Sequence, residues 1–455
     1  MNRRVEMRVL DPEIRIKSFQ EVALGYLPDE AKLEAERCLE CKNALCIKGC
    51  PVGIDIPSFI KQIKEGNLKE AYKIITKQNK FPGICGRVCP QETQCESKCI
   101  RGKKGEPIAI GRLERFVSDN VEIDEEELPT IQYEKVAIIG SGPAGLACSG
   151  ELAKLGYEVH MFEALHVAGG VLTYGIPEFR LPKRIVKKEI DLLEKMGVQI
   201  HLNTIIGKTK TISDLFNEGF KAIFIGTGAG LPKFMGIPGE NLNGVYSANE
   251  FLTRLNLMKA YNEEYDTPIR KMKRVIVVGG GNVAMDAARC AKRLNVEDVT
   301  IVYRRSEKEM PARLEEIHNA KEEGINFSFL TNPIRIIADE NFNVKEVECI
   351  RMELVDTGNG RAKPVEVPNS NFFLPADTVI MAIGNHPNPL ISSTTQDLKV
   401  NDHGCFIVDD NLMTSMENVY AGGDAVTGAA TVILAFSAGK KAALSIHKKL
   451  RGINE

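Results

Sequence analysis

Two segments of this 455-residue chain share one order of elements. "KVAIIGSGPAGLACSGELAKLGYEVHMFEA" (135–164) and "RVIVVGGGNVAMDAARCAKRLNVEDVTIVYRR" (274–305) each read as an apolar strand, a Gly-rich turn, an amphipathic helix and a second strand. Strands joined by crossover helices pair in parallel and need both faces of their sheet covered. The chain is therefore expected to be α/β, with two Rossmann-like, doubly wound domains. A later apolar strand, "DTVIMAIG" (377–384), followed by "NVYAGGDAV" (418–426), reads as a return to the first unit. The second domain is thus expected to be inserted in the first, with 131–247 and 373–455 forming the outer domain and 248–372 the inner one.

The first turn is G-x-G-x-x-G: Gly140, Gly142 and Gly145, with Pro143 and Ala144 opening the helix. Glycines there allow a tight turn and close backbone approach, so a pyrophosphate can sit on the helix N-terminus. Alone, such a match can be only a tight turn. Here Glu163 ends the next strand, about 20 residues on, where a carboxylate can accept hydrogen bonds from a ribose 2′-OH. The second turn is G-x-G-x-x-A, with Gly279, Gly281, Asn282, Val283 and Ala284. Its second strand ends in Arg304 and Arg305 in place of an acid. Guanidinium groups bind a 2′-phosphate that a carboxylate would repel, so NADP(H) is expected over NAD(H). The plain alternative is a solvated arginine pair.

Two unlike dinucleotide sites suggest one bound flavin and one exchanging nicotinamide. The segment "YAGGDAVTGAATVILAFSAGKKAA" supports FAD at the first site. Gly423 and Asp424 can meet flavin ribityl or phosphate groups, and the helix starting near Ala430 and Thr431 can aim its positive end at the isoalloxazine. "EKEMPAR" (307–313) is a weaker candidate for holding the nicotinamide end.

Residues 1–130 read as helices and cysteine loops. In "IDIPSFIKQIKEGNLKEAYKIITKQNKF" helical spacing is broken by Gly66-Asn67, giving two short helices, and "DNVEIDEEELPTIQ" reads as an acidic linker. Eight of the twelve cysteines lie here: Cys38, Cys41, Cys46 and Cys50 as C-x2-C-x4-C-x3-C before Pro51, then Cys85, Cys89, Cys95 and Cys99. A formal net charge of −2 argues against nucleic acid as a main partner. No apolar run approaches the roughly 20 residues a membrane span needs, and the N-terminus lacks a signal-peptide core. In the reducing cytoplasm thus expected, clustered cysteines bind metal or do redox chemistry more often than they form disulfides.

Zinc could satisfy four thiolates. Two groups of four, the first ending in Cys-Pro, sit closer to a two-cluster ferredoxin, although the middle gap is two residues longer than C-x2-C-x2-C-x3-C-P. In that pattern the fourth cysteine ligates the other cluster. Cys38, Cys41 and Cys46 are then expected to hold one [4Fe–4S] cluster with Cys99, and Cys50 to cross to a second. The residues alone nominate Cys85, Cys89 and Cys95 as its other ligands.

The order of these segments, with "GGVLTYGIPEFRLPK" (169–183) and its Gly170 between the nucleotide units, resembles the glutamate synthase small-chain family. That family also includes the electron-transfer half of dihydropyrimidine dehydrogenase and the large subunit of NADH-dependent ferredoxin:NADP oxidoreductase, which bifurcates electrons. The opening "DPEIRIKSFQEVALGY" and the ending "TGAATVILAFSAGKKAA" look most like the large-subunit branch and stand-alone glutamate synthase homologues. The resemblance implies that Glu114, in "PIAIGRLERF", joins Cys89 and Cys95 as a ligand and that Cys85 is a non-ligand neighbour. The bland alternative for Glu114 is a solvated helix residue. The family's activity would be hydride transfer from NADPH to FAD, then single electrons through two clusters to a protein partner, or the reverse. The implied partner is a glutamate synthase large subunit, or a small flavoprotein subunit and ferredoxin; the chain could also self-associate.

Three other functions compete. A flavin disulfide reductase needs a C-x2-C pair near the flavin, and outside the N-terminal groups no two cysteines are close in sequence. Glutamate synthesis by this chain alone would need a glutaminase nucleophile that is not visible. A non-catalytic assembly subunit would have no reason to keep both glycine loops and all the ligand candidates.

Overall fold

The computed structural model describes residues 3–122, 130–356, 358 and 362–453. Residues 123–129 of the acidic linker lie outside them.

The N-terminal domain is helical. Helix Ile56–Glu65 starts where Asp55 accepts from the Ser58 backbone N–H at 3.4 Å, with Pro57 in its first turn, and ends at Gly66 in the left-handed region, φ +82°. The chain turns there into helix Leu68–Thr76. Phe59, Ile60, Ile63, Ile75, Leu113 and Val117 form the core between these two and helix Ile110–Asn120. A small ribbon, Arg8–Val9 against Ala23–Gly25, lies N-terminal to the helices.

Two five-stranded parallel sheets follow. In the first the order is Val419–Ala421, Ala222–Ile225, Tyr133–Ile139, Tyr157–Phe162, Gln199–His201. In the second it is Asn326–Phe329, Asp298–Tyr303, Arg274–Val278, Thr378–Met381, Val245–Ser247. The first sheet's strands bracket the second's in sequence. Two strands fall on the other side of the expected boundaries, however. Val245–Ser247 and Thr378–Met381 were expected in the outer domain and instead extend the inner sheet beyond Arg274–Val278. Thr378–Met381 is fully buried, and an apolar strand of that kind fits the centre of either sheet. Only its hydrogen-bonded partner decides. The strand that returns to the outer sheet is Val419–Ala421, beside Ala222–Ile225. Between the inner sheet's strands lies an antiparallel sheet built on Val344–Val355. A two-residue ribbon, Leu231–Pro232 with Asn385–His386, ties the two connections between the domains.

Close contacts fix the outer domain. The C-terminal helix Val432–Arg451 lies on helix Pro143–Lys154, where a Cβ on Gly439 would stand 2.1 Å from the Ala144 carbonyl oxygen. Buried charge fixes the outer domain to the inner. Arg180, on the loop after helix Val171–Tyr174, makes two bonds to Asp286 at 2.9 and 2.7 Å and approaches Glu316 at 3.2 Å. Arg289 and Arg293 bind Glu323, and Arg15 of the N-terminal segment reaches the same carboxylate at 2.9 Å. Their guanidinium charges offset the burial of Glu323 and hold its carboxyl down at about 2. No described helix is long and apolar enough to cross a membrane.

Candidate functional site

The first glycine loop is built by close approach. Gly140 takes φ +95°, and its N–H donates to Phe162 O at 2.8 Å. A Cβ on Gly145 would lie 1.9 Å from Gly140 O, so the helix can start there only with glycine. Gly142 differs: a Cβ there would meet nothing within 4 Å. That open space at a helix N-terminus fits a pyrophosphate, with Pro143 and Ala144 buried behind it. Gly170 closes over the loop, its Cβ direction 2.8 Å from Gly142 Cα. Glu163 stands at the end of the neighbouring strand and is buried. Its carboxylate accepts from Ser141 N–H at 2.9 Å, from the Ser141 hydroxyl, and from Leu165 N–H at 2.8 Å. It therefore shapes the loop.

Gly423 packs on Ala144, with a Cβ there 3.0 Å from Ala144 Cβ. Asp424 follows, half-buried, and burial pushes its carboxyl up to about 6 against one bond from Ala430 N–H at 3.2 Å. Thr431 caps the C-terminal helix, accepting from Leu434 N–H at 3.4 Å. Tyr174, which the sequence reasoning missed, lies near both Glu163 and Asp424; burial raises its hydroxyl to about 12.

At the second loop a Cβ on Gly279 would lie 2.3 Å from Ala382 O, whereas at Gly281 the nearest atom is 4.0 Å away. Ala284 is buried and Val283 exposed. Asn282 Oδ1 accepts from the Arg313 backbone N–H at 2.9 Å. Arg304 is exposed, while Arg305 keeps its Nε and Nη1 buried with no partner. Orphaned guanidinium donors at the end of this strand fit a 2′-phosphate. Arg313, the last residue of "EKEMPAR", turns away from this loop. Its side chain bonds Gln91 Oε1 at 2.9 Å and Glu92 Oε1 at 3.1 Å, fastening the inner domain to the N-terminal one.

All twelve cysteines carry free thiols. Cys38, Cys41, Cys46 and Cys99 line one cavity of about 60 Å³. Burial, then Cys99 and Cys38, pushes the Cys46 thiol up to about 11. Among the described residues no three His, Cys, Asp or Glu side chains converge on a single-ion point. The second group surrounds Cys95, whose thiol is raised by burial and by Glu96, Cys50, Glu114 and Cys89. Glu114 is 6% exposed, so it is no solvated helix residue. Burial lifts its carboxyl to about 7, and Asn79 Nδ2 donates to it at 2.7 Å. The same Asn79 lies 3.7 Å from Cys85 Sγ through its oxygen. Cys85 and Glu114 thus flank one asparagine beside the second group. Thiolates with one carboxylate are a donor set that suits iron–sulfur chemistry.

The N-terminal domain touches the flavin side through residues that spacing could not reveal. Phe81 stacks on Phe436 with centroids 4.6 Å apart. Ser437 Oγ donates to Pro51 O at 3.0 Å, and Lys440 Nζ reaches Gln78 Oε1 at 2.5 Å.

This combination defines a class: an iron–sulfur module joined to a two-dinucleotide flavoprotein. Residues 15–126 match the family model for dihydropyrimidine dehydrogenase domain II with its 4Fe–4S cluster. Residues 134–439 match that of the pyridine nucleotide-disulphide oxidoreductases. The Escherichia coli glutamate synthase [NADPH] small chain is 35% identical over 96% of each chain. The β subunit of the Moorella thermoacetica NADP(+)-dependent formate dehydrogenase is 40% identical over 90% of this chain, which spans 60% of that protein. Among solved structures, Mycobacterium tuberculosis FprA in complex with NADPH superposes with a TM-score of 0.61 at 22% identity, over 70% of this chain and 85% of that one. That likeness shows the fold. The chain belongs to the glutamate synthase small-chain family, and is an NADPH-dependent iron–sulfur flavoprotein oxidoreductase.

Proposed function

We propose that the chain carries two [4Fe–4S] clusters, one held by Cys38, Cys41, Cys46 and Cys99 and the other by Cys50, Cys89, Cys95 and Glu114. FAD takes the first glycine loop and NADP(H) the second. The observation that carries this reading is the exchange of thiols between groups: Cys99 lies with the early cysteines, and Cys50 with the late ones. When bound, the flavin trades hydride with the nicotinamide, and the clusters carry electrons one at a time.

The residues have separable duties. Gly142 and the N-terminus of helix Pro143–Lys154 receive pyrophosphate, Glu163 the ribose, and Gly170, Gly423, Asp424 and Thr431 surround the flavin end. Arg304 and Arg305 select the 2′-phosphate. Phe436 and Ser437 set the second thiol group against the flavin-side helix. Leu39, Leu45 and Ile100 are exposed beside the first thiol group and form the contact for a protein electron partner. Relatives named as a small chain or a β subunit support such a partner, here read as a glutamate synthase large subunit. Free thiols suit a reducing cytoplasm.

Chain purified without oxygen should contain about eight iron and eight sulfide, as two [4Fe–4S] clusters require. After dithionite reduction it should show two interacting paramagnetic centres. Iron near half that value, with Cys50→Ser leaving it unchanged, would remove the second cluster. Copurification with a glutaminase-bearing subunit would support the partner; a small flavoprotein carrying its own iron–sulfur centre would replace it.

A further inference from the structure

A cavity of about 250 Å³ lies where the three domains meet, and neither a cysteine nor a residue of either glycine loop lines it. Seven arginines and four glutamates line it. Six of the arginines face a carboxylate; Arg87 and Arg115, for instance, share Glu21 and Asp119. Arg112 faces no carboxylate among the described residues; its side chain bonds the neutral Tyr26 hydroxyl and approaches Val5 O only at 3.5 Å, so its charge is left without a counter-ion. Arg4 spends one terminal nitrogen on Glu96 at 2.5 Å, while its Nε is buried without a partner. A buried guanidinium donor left unmade is costly, and an added anion would satisfy it.

The lining also connects to the second glycine loop. Arg313 lines the cavity with its side chain and bonds Asn282 with its backbone N–H. Arg180, another lining residue, bonds Asp286 on the helix that Asn282 begins. We propose that this cavity binds a compact oxyanion of two or three charges, through Arg4 and Arg112, and that its occupancy alters NADP(H) affinity through Arg313 and Asn282. The coupling rests on NADP(H) occupying the second loop; the binding does not.

The test is calorimetry on the holoenzyme with citrate, malonate and inorganic phosphate, each with and without NADP+. Wild type is compared with Arg4→Gln and Arg112→Gln, and iron content is measured in each. At least one probe should bind saturably at one site per chain, and each variant should weaken it at least tenfold with its iron intact. Citrate or malonate binding would mark a carboxylate ligand, and phosphate binding a phosphoryl one. A saturating probe should shift NADP+ affinity, and NADP+ should shift probe affinity by the same factor, because coupling is reciprocal. Absence of saturable binding, binding that survives both substitutions, or binding that leaves NADP+ affinity unmoved would each overturn the proposal. Probe binding with no NADP+ binding at all would instead overturn the nucleotide assignment of the second loop.

Discussion

Ser437 Oγ donates a hydrogen bond to the carbonyl of Pro51 at 3.0 Å, and Pro51 follows Cys50 directly. One residue earlier, Phe436 stacks on Phe81. The C-terminal helix thus carries the surface on which the segments bearing Cys50 and Cys85 rest. Ser437→Ala should leave the Pro51 carbonyl short of a donor and cost about 1 kcal/mol of stability. Phe436→Leu removes the stack as well. In stopped-flow mixing with NADPH, both variants should keep the rate of flavin bleaching and slow the later bleaching of the clusters. Equal slowing of both phases would show that this contact does not separate the two stages.

Cys85 and Glu114 make opposite predictions for one asparagine. Both flank Asn79, and the ligand reading assigns the cluster to Glu114. Cys85→Ala should keep full iron and sulfide content. Glu114→Ala should lose about four iron per chain, or convert the centre to a form with a different paramagnetic spectrum. The reverse pattern would give the ligand position to Cys85.

Gly142 and Gly145 are three residues apart and should fail differently. Alanine at 145 collides with the Gly140 carbonyl, so that variant should be recovered poorly and without flavin. Alanine at 142 meets nothing within 4 Å. It should fold with a normal far-ultraviolet spectrum yet lose FAD on gel filtration, because its methyl occupies the space assigned to pyrophosphate. Flavin retention in Gly142→Ala would move the pyrophosphate elsewhere.

The difference between those glycines shows what the sequence could and could not reveal. The fingerprint spacing identified both loops, since close approach of strand, turn and helix leaves few residue choices. The ownership of Thr378–Met381 stayed hidden because a fully apolar strand satisfies either sheet. Arg313 was legible only as part of "EKEMPAR", a candidate for holding the nicotinamide end, and its side-chain bonds to Gln91 and Glu92 stayed hidden because they span more than 220 residues of chain. The exchange of Cys50 and Cys99 was legible because ferredoxin spacing carries that crossing. Glu114 was singled out only by the family resemblance, because nothing in "GRLERF" itself separates a buried glutamate from a solvated one.

Arg305 holds two buried donors without partners, beside an exposed Arg304. Charge-assisted bonds to a phosphate are worth about 1.5–3 kcal/mol. Arg305→Ala should therefore raise KM for NADPH roughly tenfold to a hundredfold, at about 1.4 kcal/mol per decade. KM for NADH, which lacks the 2′-phosphate, should change little. Parallel losses with both cofactors would assign Arg305 to the fold.

Glu189 gives a prediction in pH. It lies on helix Lys183–Lys195, buried against helix Pro82–Val88, with its Oε2 lacking any partner. Burial pushes its carboxyl from the usual 4.5 up to about 8, overcoming the opposing pull of Lys188 and the Gly83 N–H. Between those two values the unfolded chain has lost the proton while the folded chain keeps it. Stability contributed by the neutral carboxyl is therefore full below about pH 4.5 and declines as pH rises toward about 8. The slope is about 1.4 kcal/mol per pH unit within that window. Glu189→Gln keeps the shape without the titration. Its apparent melting temperature, measured on the holoenzyme at pH 5, 6, 7 and 8, should fall less steeply than that of the wild type and should exceed it at pH 8. Parallel pH profiles for the two proteins would show that Glu189 is charged in the folded state across the range.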